Sequence, residues 1–440
     1  MRRPTLAWSL GMLTILSGCA TAVPETATKG AGDGMRATAG GHPEGYGQGL
    51  PERVSGLAPE IRAWLPEARR IVADTIVIDT HIDVPYRVHR AFVDVTVATE
   101  GGDFDYPRAV AGGLDAPFMS IYIPADVDAA GTGKELALEL IGSVEAIVER
   151  APDKFALARS PAEVVANWRA GLISLPMGME NCGPLRDPAE VAEWADRGIR
   201  YCSLAHSRSN ALSDSSYDIN EQWGGLSPLG QEMIPALNAA GIMVDVSHLS
   251  DAATRQVLEL SAVPVIASHS SARHFIPGFQ RNLDDATIRA IGDQGGVVMM
   301  NIGSTFVSEA SRKSQESGRM AFQQYLNDTG VDAGSGAAAA WRATWAAEHP
   351  LRRATLEEVI DHIDLIAGLA GIDHVGIGTD YDGVGDSLPD NLRDVASYPH
   401  LAAGLLSRGY SEEEVRKVLS GNLLRVWRAA DAHARGMAAR

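Results

Sequence analysis

Five side chains able to bind metal stand at, or just past, the ends of short apolar runs. They are His81 and Asp83 in TIVIDTHIDV, Glu180 in LISLPMGMEN, His248 in IMVDVSHLS and His269 in PVIASHSSA. A sixth run, HVGIGTDYDG, ends in Asp380 in the same way. Two imidazoles, an HxD pair and a lone carboxylate suffice to hold two divalent cations, since one carboxylate can offer an oxygen to each. Cations so placed lower the pKa of a water between them, which is hydrolytic chemistry. Singly, each signal is weak. A histidine after an apolar run is more often a hydrogen-bonded core residue than a ligand. Recurrence of the pattern at so many run ends is what points to a site.

Such residues converge only if the runs are parallel strands with a common C-terminal rim. The candidate strands are 75–81, 117–123, 172–178, 199–205, 242–247, 264–268, 296–301 and 374–379. Each is apolar with little alternation, as expected of strands covered on both faces. Helical patterns separate most of them. In TLEEVIDHIDLIAGLAG, Thr355 and Glu358 form a capping box, and Leu356, Val359, Ile360 and Ile363 form one stripe. Ser411 and Glu414 open another helix in the same way, and 411–430 is expected to close the barrel. The alternation predicts an α/β protein, a (β/α)8 TIM-type barrel over 55–440, rather than a doubly wound sheet. No GxGxxG follows the first strand, which weakens a dinucleotide-binding reading. Segments 207–225 and 304–353 exceed the regular repeat and would sit on the rim as a lid or pocket wall.

Composition bounds the rest. The chain has 440 residues, 45% hydrophobic and 21% charged, with a formal net charge of -18. That is globular, and too acidic for a nucleic-acid partner or for adhesion to anionic lipid by charge alone. Arg2 and Arg3 precede LAWSLGMLTIL, an apolar segment too short for a comfortable membrane span. Leu16-Ser17-Gly18-Cys19 resembles a bacterial lipobox, with Cys19 acylated after removal of residues 1–18. The Gly-, Ala-, Thr- and Pro-rich stretch 19–54 reads as a flexible tether. The expected location is the cell envelope. Ala20 in place of Asp suggests the outer membrane facing the periplasm, reached through the lipid anchor. Cys182 and Cys202 are expected to be two buried thiols, because one sits past a strand end and the other within the next strand.

THID, GMEN, LAHSRSN, DVSHLS, ASHSSAR, QRN and GTDYDGV together resemble the membrane (renal-type) dipeptidases of the amidohydrolase superfamily. The resemblance spans nearly all of 61–430. It implies a dipeptidase with two zinc ions, acting on dipeptides including L-Xaa-D-Xaa through a metal-bridging hydroxide. His81 and Asp83 would ligate one ion, His248 and His269 the other, and Glu180 would bridge. Asp380 would move protons, with Asp382 as its rival. His206 would touch the substrate near the scissile carbonyl. Arg281 would bind the substrate carboxylate, with Arg273 as a competitor, or would instead pair with Asp284 or Asp285. Family habit implies a homodimer. Arg208 in LAHSRSN has no assigned role. The rival readings are an amidohydrolase acting on N-acyl amino acids, lactams or phosphoesters, and a non-catalytic envelope-binding lipoprotein.

Overall fold

A computed structural model describes residues 46–47 and 56–439. The proposed signal peptide, Cys19 and the tether lie outside the described residues. Among the described residues ten strands run in chain order: β1 (Ile78–Ile82), β2 (Ala116–Tyr122), β3 (Phe155–Leu157), β4 (Ile173–Leu175), β5 (Met177–Glu180), β6 (Ile199–Ser203), β7 (Met243–Asp245), β8 (Ile266–Ser270), β9 (Val297–Met300) and β10 (Val375–Ile377). Eight of them form one parallel sheet in the order β1-β2-β5-β6-β7-β8-β9-β10. The predicted (β/α)8 barrel is the fold.

The barrel closes at its C-terminal rim. Ile82 bridges Tyr381, Asp380 N donates to His81 O at 3.1 Å, and Asp83 N donates to Tyr381 O at 2.9 Å. Asp79 reinforces this seam from inside the first strand. It accepts from the backbone nitrogens of His81 (3.1 Å) and Thr379 (3.0 Å) and from the Tyr398 hydroxyl (2.7 Å). A buried carboxylate is tolerable only when its oxygens are so occupied. The seam therefore fixes His81, Asp83 and Asp380 relative to one another.

The opposite end is plugged. Trp427, on the helix Asn422–Ala438, is fully buried and packs 5.1 Å from Phe118 of β2. The C-terminal segment thus does close the barrel. Both capping boxes, at Thr355 and Ser411, are present. Ser160, Ser227, Ser250 and Asp284 cap other helices through their side chains.

Two expectations are corrected. The run 172–178 is not one strand. It divides at Pro176 into β4, which pairs with β3 in a separate two-stranded sheet, and β5, which enters the barrel. Proline has no N–H to offer a ladder, so pairing changes there. Cys182 and Cys202 are joined in a disulfide rather than free. After β5 the chain stays alongside β6 for two further residues, and Cys182 N donates to Ser203 O at 2.7 Å. This brings the two Cα atoms to 6.0 Å, within bridging range despite the offset.

Candidate metal centre

The rim brings the predicted residues together. His81, at 0% exposure, is the penultimate residue of β1, and Asp83 begins the turn into the helix Val84–Arg90. Glu180 is the last residue of β5, and His269 lies in β8. His248 follows β7 with a φ of 70°, and Asp380 follows β10 with a φ of 66°. Among the described residues, the other non-glycine positions with positive φ are Asn181 and Asp382, the immediate neighbours of this site. Left-handed backbone is costly for such residues and gathers where side-chain direction matters more than comfort.

Glu180 is the hub. Its Oε2 lies 3.5 Å from His81 Nε2, while its Oε1 lies 3.0 Å from His248 Nε2 and 3.2 Å from His269 Nε2. Asp83 Oδ2 approaches His81 Nε2 at 3.5 Å. Three overlapping sets of potential ligand atoms each fall within 4.8 Å: His81, Glu180 and His269; Glu180, His206 and His248; His81, Asp83 and Asp380. His206 Nε2 is 3.7 Å from Glu180, and its ring packs on Tyr122 and His248.

The donor set fits divalent cations. Among the described residues His81 Nε2 and Asp83 Oδ1 are buried without hydrogen-bond partners, which is expensive unless an ion is shared. His248 Nε2 and His269 Nε2 face each other at 2.9 Å. Gly383 leaves the space that a Cβ would take from the Asp83 and Asp380 carboxylates. His81 and Asp83 would hold one ion, His248 and His269 a second, with Glu180 shared. Nitrogen and carboxylate ligands of this kind suit zinc among the common metals.

Electrostatics agree. Burial alone would lower His81, but Tyr201 and the Glu180 and Asp83 carboxylates raise it well above its ordinary value. Positive charge is favoured at that point. Burial, with Arg281 nearby, holds His248 and His269 well below their ordinary value, so both present neutral lone pairs. Burial would raise Glu180, yet the surrounding histidines pull it well below the carboxylate range. Burial, with Asp83 and Glu180 adding to it, pushes Asp380 up to about 7.

Supporting residues were not foreseen. Ser268 Oγ donates to Asp245 Oδ2 at 2.6 Å and so must accept from His269 Nδ1 at 2.7 Å, which leaves His269 Nε2 bare. Tyr201 OH lies 2.7 Å from His81 Nδ1, in space that Gly178 keeps open for its ring. Asn301 Nδ2 donates to Asp380 Oδ2 at 2.8 Å. The one available signal was a polar residue inside an apolar run, as with Asp245 in MVDVS.

The rivals separate by geometry. Asp382 is held by Arg87 at 3.0 Å and by Asp103 N at 2.7 Å, whereas Asp380 faces His81 and Asp83. Arg273 pairs with Asp251 at 2.5 Å. Arg281 makes no pair with Asp284 or Asp285 among the described residues. It is 2% exposed, donating to His269 O (2.7 Å) and Ser270 Oγ (2.9 Å), with Nη2 3.1 Å from His248 Nε2. The site opens into a cavity of about 730 Å³. Tyr217 from the 207–225 segment and Arg312 from the 304–353 insertion line it, so both insertions do form wall.

Known proteins agree with this architecture. The family model for membrane dipeptidase (peptidase family M19) matches residues 65–440. Dipeptidase verJ of Clonostachys rogersoniana is 30% identical over 377 residues, covering 82% of this chain and 86% of that protein. The probable dipeptidase PvdM from Pseudomonas aeruginosa superposes with a TM-score of 0.73 at 26% identity, covering 88% of this chain and all of that one. A metallo peptidase from Rhodobacter sphaeroides, solved with a phosphinate mimic of the dipeptide L-Ala-D-Ala, superposes with a TM-score of 0.63 at 25% identity, covering 81% of this chain and 100% of that one. With a barrel rim that gathers histidines around one carboxylate and a family match over residues 65–440, this chain belongs to the membrane dipeptidase family, the M19 metallopeptidases.

Proposed function

We propose that this chain is a binuclear zinc dipeptidase that cleaves dipeptides, L-Xaa-D-Xaa among them. The observation that carries this is the division of Glu180, with one oxygen toward His81 and the other toward His248 and His269. A carboxylate so shared is what a pair of cations requires. Bound zinc would acidify a water and polarise the scissile carbonyl. The protein's own groups do the rest. Asp380, held by Asn301, accepts the proton of the attacking water and returns it to the leaving nitrogen. His206, kept below its ordinary pKa by burial, stands over Glu180 to meet the carbonyl oxygen. Arg281 holds the substrate carboxylate, and its buried Nε has no partner among the described residues.

Export and lipid anchoring through Cys19, with delivery to the outer membrane, form part of the proposal. They are supported by the lipobox-like LSGC and by the Cys182–Cys202 disulfide, a bond suited to an oxidising compartment. Among the described residues no helix is long and apolar enough to cross a membrane.

The test is a panel of L,L- and L,D-dipeptides beside N-acetyl amino acids, assayed with purified zinc-loaded protein. Turnover of the dipeptides is expected. Turnover of the N-acyl compounds alone transfers the site to the N-acyl amidohydrolase reading.

A further inference from the structure

The chemistry above leaves two arginines on the cavity wall unused, Arg90 and Arg312. Arg312 sits in the first turn of the helix Glu309–Thr329, inside the insertion. Gln315, on the same helix face, lines the same cavity. The Arg312 guanidinium lies 3.9 Å from the centre of the Phe279 ring. Phe279 stacks on Phe306 at 5.9 Å with the planes 29° apart. The Arg281 guanidinium lies 5.5 Å from the Phe306 ring. A continuous run of contacts therefore leads from buried Arg281, beside His248, across two phenyl faces to Arg312 at the mouth. Phe306, Phe279 and Arg312 line the cavity, with Arg281 buried behind Phe306 and Arg312 at the open end.

Arg312 is poorly neutralised. Among the described residues its ion pair is with Glu316, one turn away at 3.5 Å, and the two side chains are 31% and 43% exposed. A long, solvent-screened contact of that kind yields readily to an incoming carboxylate. A guanidinium held over a ring is already partly ordered, and N–H groups that the ring does not cover can meet a planar anion.

We infer that Arg312 recognises a carboxylate on the side chain of the substrate's C-terminal residue. Dipeptides ending in aspartate or glutamate are then the preferred class. This rests on the dipeptidase reading and on Arg281 as the anchor for the main-chain carboxylate. The C-terminal side chain leaves the same carbon as that carboxylate. Its short methylene segment faces the Phe306–Phe279 surface, and its acid group meets Arg312. Arg90 does not share this wall. It ends the helix that follows Asp83, and its guanidinium lies 5.9 Å from the Tyr86 ring.

The test compares kcat/KM for Ala-Glu with that for its near-isostere Ala-Gln, with L and D C-terminal residues. In the wild type the acid is expected to win by about ten- to hundredfold, the value of a charge-assisted hydrogen bond. R312M should bring the ratio to near one. R312K should keep it above R312M, and R312E should invert it and favour Ala-Lys. A wild-type ratio at or below one overturns the inference without any variant. So does a ratio that survives R312M, or one that collapses in R90M instead. If no dipeptide is cleaved at all, the dipeptidase reading has failed. If Ala-Gln and Ala-Glu are cleaved equally well, only the role of Arg312 has failed.

Discussion

Asn301 donates its amide hydrogen to Oδ2 of Asp380 at 2.8 Å, from the residue just after β9 to the residue that ends the run following β10. The donor stabilises the charged carboxylate. Asp380 is already pushed up to about 7 by burial and by the neighbouring Asp83 and Glu180, and bound cations would bring it down. A general base must be deprotonated, so activity falls as pH falls through its pKa. N301A removes the donor and should move the acid limb of the kcat/KM profile up by about one to two pH units. N301D adds a like charge and should move it at least as far. An unshifted limb in both variants would remove Asp380 from the role of base.

Ser268 between Asp245 and His269 sets a tautomer. S268A should leave the fold intact, since the side chain lost is small, but His269 Nδ1 loses its acceptor. Metal affinity is expected to drop about 10- to 100-fold in a chelator competition titration. Wild-type affinity in S268A would reduce the relay to packing.

Metal should stabilise the fold, because the ligands come from separate strands and bind only when the rim is assembled. Chelation is expected to lower Tm, with recovery on adding zinc. In E180Q one oxygen becomes an amide nitrogen that cannot ligate, so sharing fails. E180Q should bind fewer ions than wild type by elemental analysis. Full occupancy in E180Q contradicts the bridging role.

His362 gives a pH dependence of stability away from the chemistry. It accepts from Ala272 N at 3.0 Å and donates to Val307 O at 2.9 Å, tying the loop after β8 to the start of the insertion. Burial holds its pKa at about 4. The unfolded chain protonates near the ordinary value of about 6.5. Between those values only the unfolded state takes the proton, so stability is lost as pH falls through this window. At pH 4.5 the loss is about 2–3 kcal/mol. In urea unfolding of chelated protein, the gap between wild type and H362Q should narrow by that amount from pH 7 to pH 4.5. A constant gap excludes His362 as the source.

The ligands were legible because barrel strands are short apolar runs and their C-terminal ends share a rim. Polar residues recurring at those ends point inward together. Less could be read inside the runs. Asp79 and Asp245 stand among core residues and look like errors in an apolar pattern, yet they fasten the seam and the His269 relay. Their partners are distant in sequence, so spacing carries no trace of them. The third strand was misplaced because apolar periodicity does not register which sheet a strand joins. Cys182 and Cys202 were misjudged because the rule of strand offset ignores the chain's continued run beside β6. The cation that the insertion brings to the cavity, Arg312, had no motif at all.

The most direct test of the central claim measures metal content and dipeptide turnover in the same purified sample. Two divalent ions per chain are predicted, with turnover lost when a chelator strips them and restored by zinc. Undiminished turnover in stripped protein would contradict the account. So would full turnover with a single ion per chain, since Glu180 would then have nothing to bridge.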